Sequence, residues 1–320
     1  MYRIHFIFLF LLYLNRDAAA WVAEPVMEKT DTTIKLKNPG TIGSRKFLVA
    51  GVSLTGLTSS FILLNDEWYK DYARTPLHSF DDSKEWLQMD KMGHAWTTYN
   101  SSLLACKAWR WAGVSKSTAL VLGSLTSLSY LTAIEYLDGR SAKWGWSWSD
   151  MAANLSGVAA FVSQEIFAGE QRIRIKFSSR KENYLNELLP RANELFGTSL
   201  GSRVLKDYNG QTYWLSINVN SWMNKKMNPN WLNIAIGTGA QGMLGGFDNR
   251  SFDNDGHLVF DRTDIRRFRQ WYLSLDVDLS KIKTSRKAVR TLLDALNILK
   301  IPFPTLEYSR NGLKGHLLHF

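Results

Sequence analysis

The chain has 320 residues, 45% of them hydrophobic, which excludes a disordered polymer and allows one large domain or two ordinary ones. A net charge of +10 suits an anionic partner, but no basic helix or aromatic platform of the nucleic-acid-binding kind accompanies it, so nucleic acid is not an expected partner. The single cysteine, Cys106, rules out an internal disulfide, and stability has to come from a core or from a membrane.

Residues 1–20 read as a secretory signal: Arg3 near the start, an apolar stretch over 4–14, and Ala18, Ala19 and Ala20 as a small-residue cleavage site. Export places the positive charge where it meets anionic lipid, lipopolysaccharide or cell-wall polymer. Residues 21–46 read as an extended lead-in punctuated by Asn38, Pro39 and Gly40. Segment 47–64 then gives 18 residues without a charge, the lower limit for crossing a bilayer. Its Gly51, Ser53, Gly56 and Ser59 also suit close helix packing. Three further helical segments follow at 90–111, 116–137 and 149–167, with Ser149 as the expected N-cap of the last, so 47–168 reads as a small-residue bundle of about four helices. Crossing the inner membrane from an outside start would put twelve Lys and Arg in the outer segments against six in the inner ones. That is the reverse of the usual bias, and it makes the periplasmic face of the inner membrane the lesser alternative to a periplasmic or outer-membrane location in a Gram-negative bacterium.

The polar residues of these helices carry the functional signal. Asp90 and His94 are four apart, Glu135 and Asp138 three apart, and Asp150 and Asn154 four apart, so each pair shares one face of its own helix. Such groups are costly in apolar surroundings unless they find partners, and the expectation is that they find one another at the centre of the bundle. Two readings stay open. In the first, Asp90, His94, Glu135, Asp138 and Asp150 are catalytic acids and bases, and Arg140, Asn154 and Lys91 hold a substrate. Asp90, His94, Glu135 and Asp138 would be the ligands if a metal binds. The ligand would be an anionic membrane lipid or envelope glycan, bound or processed at the cluster. In the second, the cluster only locks helix packing in a non-catalytic envelope assembly component, with outer-membrane proteins as partners. No phosphate-binding loop, zinc pattern or nucleophile turn decides between them or names a cofactor.

Beyond residue 169 the period changes to two. Arg172, Arg174 and Lys176 alternate with Ile173, Ile175 and Phe177, and similar alternation marks 213–219, 232–236 and 271–279. A helical piece is expected at 182–189, ended by Pro190, followed by a linker over 197–210. Residues 248–256 read as a surface turn, and 285–300 as an amphipathic helix packed on the sheet. Asn311 and Gly312 signal a hairpin joining 305–310 to 313–320. The last seven residues, from Lys314 to Phe320, resemble the C-terminal targeting signal of outer-membrane β-barrels. Six candidate strands fall short of the eight of the smallest membrane barrels, so 170–320 reads as an antiparallel amphipathic sheet or partial barrel. The fold class is α+β.

The series Asp-Lys-x-x-His, Glu-x-x-Asp and Ser-Asp-x-x-x-Asn resembles the uncharacterised family of predicted periplasmic lipoproteins typified by YfiM, over residues 47–164. Stretches 206–216 and 301–308 resemble its longer members, and the first segments are more distantly similar to VanZ-like membrane proteins. The resemblance implies an envelope location and a helical unit built round these polar residues, with no established activity. No cysteine follows the signal core, so acyl anchoring of the usual lipoprotein kind is not expected.

Overall fold

The computed structural model describes residues 39–70, 72–223, 229–253 and 255–320; the signal and most of the lead-in fall outside them. The first helix, α1 (Pro39–Leu64), begins inside the segment expected to be extended. Pro39 presets φ for a first helical turn, and its missing N–H is one that a helix start leaves unpaired anyway. Most of α1 is exposed. It is held through Phe61, whose ring centre lies 5.0 Å from that of Tyr130, and through Arg45, stacked 5.0 Å over Trp111.

Three tightly packed helices follow: α2 (Met89–Trp111), α3 (Lys116–Asp138) and α4 (Trp148–Phe167). Ser115 caps α3 by accepting the Thr118 N–H at 3.2 Å. Ser147, two residues ahead of the expected Ser149, caps α4 by accepting the Asp150 N–H at 2.9 Å. Small residues let the backbones touch. A Cβ at Gly157 would lie 2.1 Å from Thr98 Oγ1 and 2.3 Å from the Ala95 carbonyl, so α4 rests directly on α2. Gly123 brings α3 equally close to Ser102 and Cys106 of α2. Tyr99, Leu103, Cys106, Ala119 and Phe161 fill the space between, with Cys106 serving as packing.

The second half is an open antiparallel sheet of six strands: β1 (Ile173–Ser179), β2 (Gln211–Ile217), β3 (Leu232–Gln241), β6 (Phe268–Val277), β7 (Phe303–Ser309) and β8 (Gly312–His319), adjacent in that order. A separate hairpin, β4 (Arg250–Phe252) and β5 (Leu258–Asp261), lies between β3 and β6, so the expected surface turn at 248–256 is partly strand. Helices α5 (Leu189–Phe196) and α6 (Leu200–Lys206) connect β1 to β2. Both overturn expectations: Pro190 sits in the first turn of α5 and starts that helix instead of ending one at 182–189, and the supposed linker at 197–210 contains α6, capped by Ser199. Helix α7 (Lys287–Leu296) is shorter than 285–300 and reaches the bundle, its Asp294 pairing with Lys107 of α2 at 3.0 Å. The final hairpin forms one residue earlier than the Asn-Gly signal implies. Ser309 pairs with Gly312, Arg310 and Asn311 make the turn, and Gly312 takes the left-handed conformation at φ +88°.

The sheet is polar inside and apolar outside. Lys176 on β1 and Asp276 on β6, both fully buried, form an ion pair at 2.8 Å, and Asp276 also accepts the Ser216 hydroxyl at 2.6 Å. The sheet curls enough for His319 of β8 to meet Thr212 of β2 at 3.3 Å across this interior. Backbone bonds from Phe177 to Ile298 (3.0 Å) and from Lys300 to Phe177 (2.8 Å) cap the free edge of β1, while among the described residues no strand covers the outer edge of β8. The closed barrel is therefore not formed.

Because Gly157 marks a backbone-to-backbone contact, Gly157→Ala is expected to cost about 1–3 kcal/mol through overpacking, measured by urea denaturation. An unchanged midpoint would show that α4 does not rest on α2 as described.

Candidate functional site

The first two turns of α2, the last turn of α3 and the first turns of α4 converge, and their polar side chains meet as the offsets required. Lys91 is the hub. Its ammonium lies 2.6 Å from Asp82 Oδ2, 2.7 Å from Asp150 Oδ1 and 3.1 Å from Asp90 Oδ2, so each of its three protons faces a carboxylate. Asp82 Oδ1 accepts the hydroxyls of Ser147 and Ser149 at 2.5 and 2.6 Å. These bonds tie the loop before α2 to the start of α4.

His94 occupies the middle. Its Nδ1 lies 3.1 Å from Asn154 Oδ1 and 3.6 Å from Glu135 Oε1, and its Nε2 3.9 Å from Asp90 Oδ1 and 3.8 Å from Asp150 Oδ1. Tyrosines complete the ring. Tyr208, from the turn before β2, donates to Asp90 Oδ1 at 2.9 Å, and Tyr69 donates to Asp138 Oδ1 at 2.9 Å. The cluster opens on a cavity of 490 Å³ whose wall includes Asp82, Glu85, Asp90, His94, Asp138 and Asp150 with the rings of Trp68, Trp86 and Trp144. Trp86, Leu87 and Gln88, just ahead of α2, all take left-handed backbone conformations with φ between 49° and 63°. That arrangement costs roughly 1–2 kcal/mol per residue and needs surrounding contacts to persist. Trp86 supplies them, donating its backbone N–H to the Gly246 carbonyl at 2.7 Å and setting its ring at a tilt against those of Tyr208 and Phe196.

Burial, reinforced by neighbouring carboxylates, pushes Glu135 up to about 8 and Asp150 to about 7. Burial does the same to Asp138, and to Glu85 beside Asp90, both reaching about 7. Burial also opposes ionisation of Asp82, but bonds from Asp150, Lys91, Ser147 and Ser149 outweigh it and hold Asp82 well below the usual range. For His94, burial disfavours the cation, and the charges of Asp90, Asp150 and Glu135 overcome it, so its pKa is raised.

Asp90, His94, Glu135, Asp150 and Asn154 thus meet, and Asp138 joins them on the cavity wall. Two expected substrate-binding residues do not fit that role. Arg140, one residue beyond the end of α3 and its Gly139 cap, is exposed and outside the wall. Lys91 is saturated by carboxylates. The metal set also changes: the ligand atoms within 4.8 Å of one another belong to Asp90, His94 and Asp150, whereas Glu135 and Asp138 lie outside that group. Two carboxylates and an imidazole are a fitting donor set for a divalent ion, but the Lys91 ammonium already pairs with both carboxylates at that position. Asp82, Glu85, Tyr69 and Tyr208 were not anticipated. Asp82 sits in a charged loop with no helical period, and Tyr208 lies 118 residues from the carboxylate it serves.

A bundle with a polar centre joined to a curled sheet defines an α+β protein. Residues 79–164 match the family model described as predicted periplasmic lipoprotein (DUF2279), which bears out, over that segment, the family likeness read from the polar motifs and the periplasmic or outer-membrane location. The match takes in Asp82, Lys91, His94, Glu135, Asp150 and Asn154; it does not extend to a likeness with VanZ-like proteins. No curated protein and no solved structure matches the chain.

Two predictions follow from the charges. Lys91→Met leaves buried carboxylates unpaired and should cost about 3–5 kcal/mol in urea denaturation at neutral pH. A loss below about 1 kcal/mol, the range of surface pairs, would show that the hub is not what ties the helices. Glu135, Asp138 and Asp150 keep in the folded state protons that the unfolded chain releases above about pH 4. The native state then binds more protons, and stability falls as pH rises from about 5 to 8. His94 acts in the same direction, since a raised folded pKa gives stability that is lost as pH climbs through it. The melting temperature should drop across this range, with a shallower slope in Glu135→Gln; a flat profile would contradict the assignment.

Proposed function

We propose that the chain is an outer-membrane-associated envelope protein that binds and processes a glycan or lipid headgroup in the 490 Å³ cavity, with His94 as the residue that moves the proton. The observation that carries this reading is the position of His94. His94 lines the cavity, its Nδ1 is engaged by Asn154 at 3.1 Å, and its Nε2 has Asp90 and Asp150 at 3.9 and 3.8 Å. That is an oriented imidazole with a free working nitrogen. With its cation favoured by the surrounding carboxylates it serves as a general acid toward a leaving oxygen, and the Asp150 carboxyl, raised to about 7, takes the complementary role.

The wall favours one kind of ligand. Asp82, Glu85, Asp90, Asp138 and Asp150 line it together with a single basic side chain among the described residues, His94, which disfavours a bare anionic headgroup. Hydroxyls or an ammonium group, with a ring face to lay on Trp68, Trp86 or Trp144, fit better. A glycan carrying hydroxyl or amino groups is therefore the preferred substrate class. The association with the outer membrane is supported by the match of residues 79–164 to a family of predicted periplasmic lipoproteins and by the exposed apolar face of the sheet, which carries Leu273 and Leu306.

The cluster also contains the alternative role. The bonds joining Asp82, Lys91, Ser147 and Ser149 are buried and face one another, as a helix lock requires. Both roles coexist if they fall on different residues, and His94 separates them. The full chain, incubated with envelope glycan fragments and analysed by mass spectrometry, should yield a product. His94→Gln should lower that yield about 10²- to 10⁴-fold, as loss of a general acid does, with a melting temperature close to that of the parent. A variant that unfolds, or one that retains full product formation, would leave His94 as packing alone.

A further inference from the structure

Five strands of the sheet present a bare apolar surface. The register sets Leu215, Ile236, Leu273 and Leu306 in one row across β2, β3, β6 and β7, and Ile217, Ile234 and Leu275 in a second. Trp271, Tyr308 and Leu313 form a third row, and Leu317 extends the surface on β8. Leu273 and Leu306 are each 50% exposed and Tyr308 65%, far from a core arrangement. The same face continues at β1 into an interface already filled. There Phe177 packs on Trp96 and Ile175 joins the cluster around Tyr99, so the bundle covers one end and leaves the rest open. The opposite face, with Lys176, Asp276, Ser216 and Asn233, is closed upon itself.

We infer that this outward face is a membrane-embedding surface whose occupant is the acyl layer of a single phospholipid leaflet. The inference rests on the outer-membrane association proposed above and deepens it by naming the surface. Three observations select lipid over a second copy of the chain. First, alternation that is apolar outward and polar inward is the pattern of strands that face hydrocarbon. Second, the face is graded along the strands. Arg269 and Arg310 come first, at headgroup level. Trp271 and Tyr308 follow, residues that favour the membrane–water boundary. Leu273 and Leu306 come next, then Leu275 and Ile234. A copy interface has no need of that order. Third, the depth fits one leaflet: the four steps from Trp271 to Leu275, at about 3.4 Å each, cover about 14 Å, half of a hydrocarbon core of about 30 Å.

The test uses the full chain and vesicles of phosphatidylethanolamine and phosphatidylglycerol, with and without bromine on the acyl chains. The protein should float with the vesicles, bromine should quench its tryptophan emission, and Trp271→Phe should remove part of that quenching. Leu273→Asp should weaken vesicle binding at least tenfold with an unchanged circular dichroism spectrum. Should that variant fail to fold, Leu275→Trp in the Trp271→Phe background gives a second measure, since its emission must be quenched by bromines deeper in the chain than those that reach Trp271. Vesicle binding indifferent to Leu273→Asp, absence of bromine quenching, or a vesicle-free dimer that Leu273→Asp splits would each overturn the inference. His94→Gln must bind vesicles like the parent. A failure of the membrane surface is thereby distinguished from a failure of the cavity reading, which shows only in product formation.

Discussion

Lys91 is the charge on which the helical half depends. An ammonium buried among Asp82, Asp90 and Asp150 offsets part of the repulsion that would otherwise prevent three carboxylates from sharing a small volume. The compensation is partial, and the surplus negative charge is handled by protonation. Glu135, Asp138 and Asp150 hold their protons into the neutral range, and His94 is driven toward its cation. The cluster is thus both a cross-link among α2, α4 and the loop before α2 and a reservoir of protons at the pH of the envelope.

The two halves of the chain solve the same problem in parallel. Each buries polar groups and pairs them internally, the bundle through Lys91 and its carboxylates, the sheet through Lys176, Asp276, Ser216 and Asn233. Both then turn apolar residues outward, on α1 and α3 in the bundle and on β2 through β8 in the sheet. By length and composition α1 and α3 could each cross a membrane. Exposed apolar surface of this extent marks a site of interaction, while the clusters around Met89 and Tyr99 hold the interior.

The halves are also joined at the site. Tyr208, in the turn leading into β2, donates to Asp90, and Trp96 of α2 donates its indole N–H to the Ile298 carbonyl at 3.3 Å while packing on Phe177 of β1. The cavity therefore has one wall from the bundle and another from the sheet half. A disturbance of the sheet on its apolar outer face has a direct structural route to Asp90.

What the sequence by itself determined was local: three helices with ends placed within a residue or two, strands with their alternation, and the pairing of polar residues at offsets of three and four. Periodicity and offset are set by the rise and twist of one element, so they can be read from one element. Everything that required two elements was decided by the tertiary structure. Asp82, Tyr69 and Tyr208 carry no periodic mark and became part of the site only because distant backbone delivered them. Arg140 looked like part of the site by nearness in sequence, yet the end of α3 turns it to solvent. The alternation of β6 showed that Trp271, Leu273 and Leu275 share a face. Only the curl of the sheet around Lys176 and Asp276 decided that this face points outward, because burial depends on what packs on each side and not on the pattern of one strand.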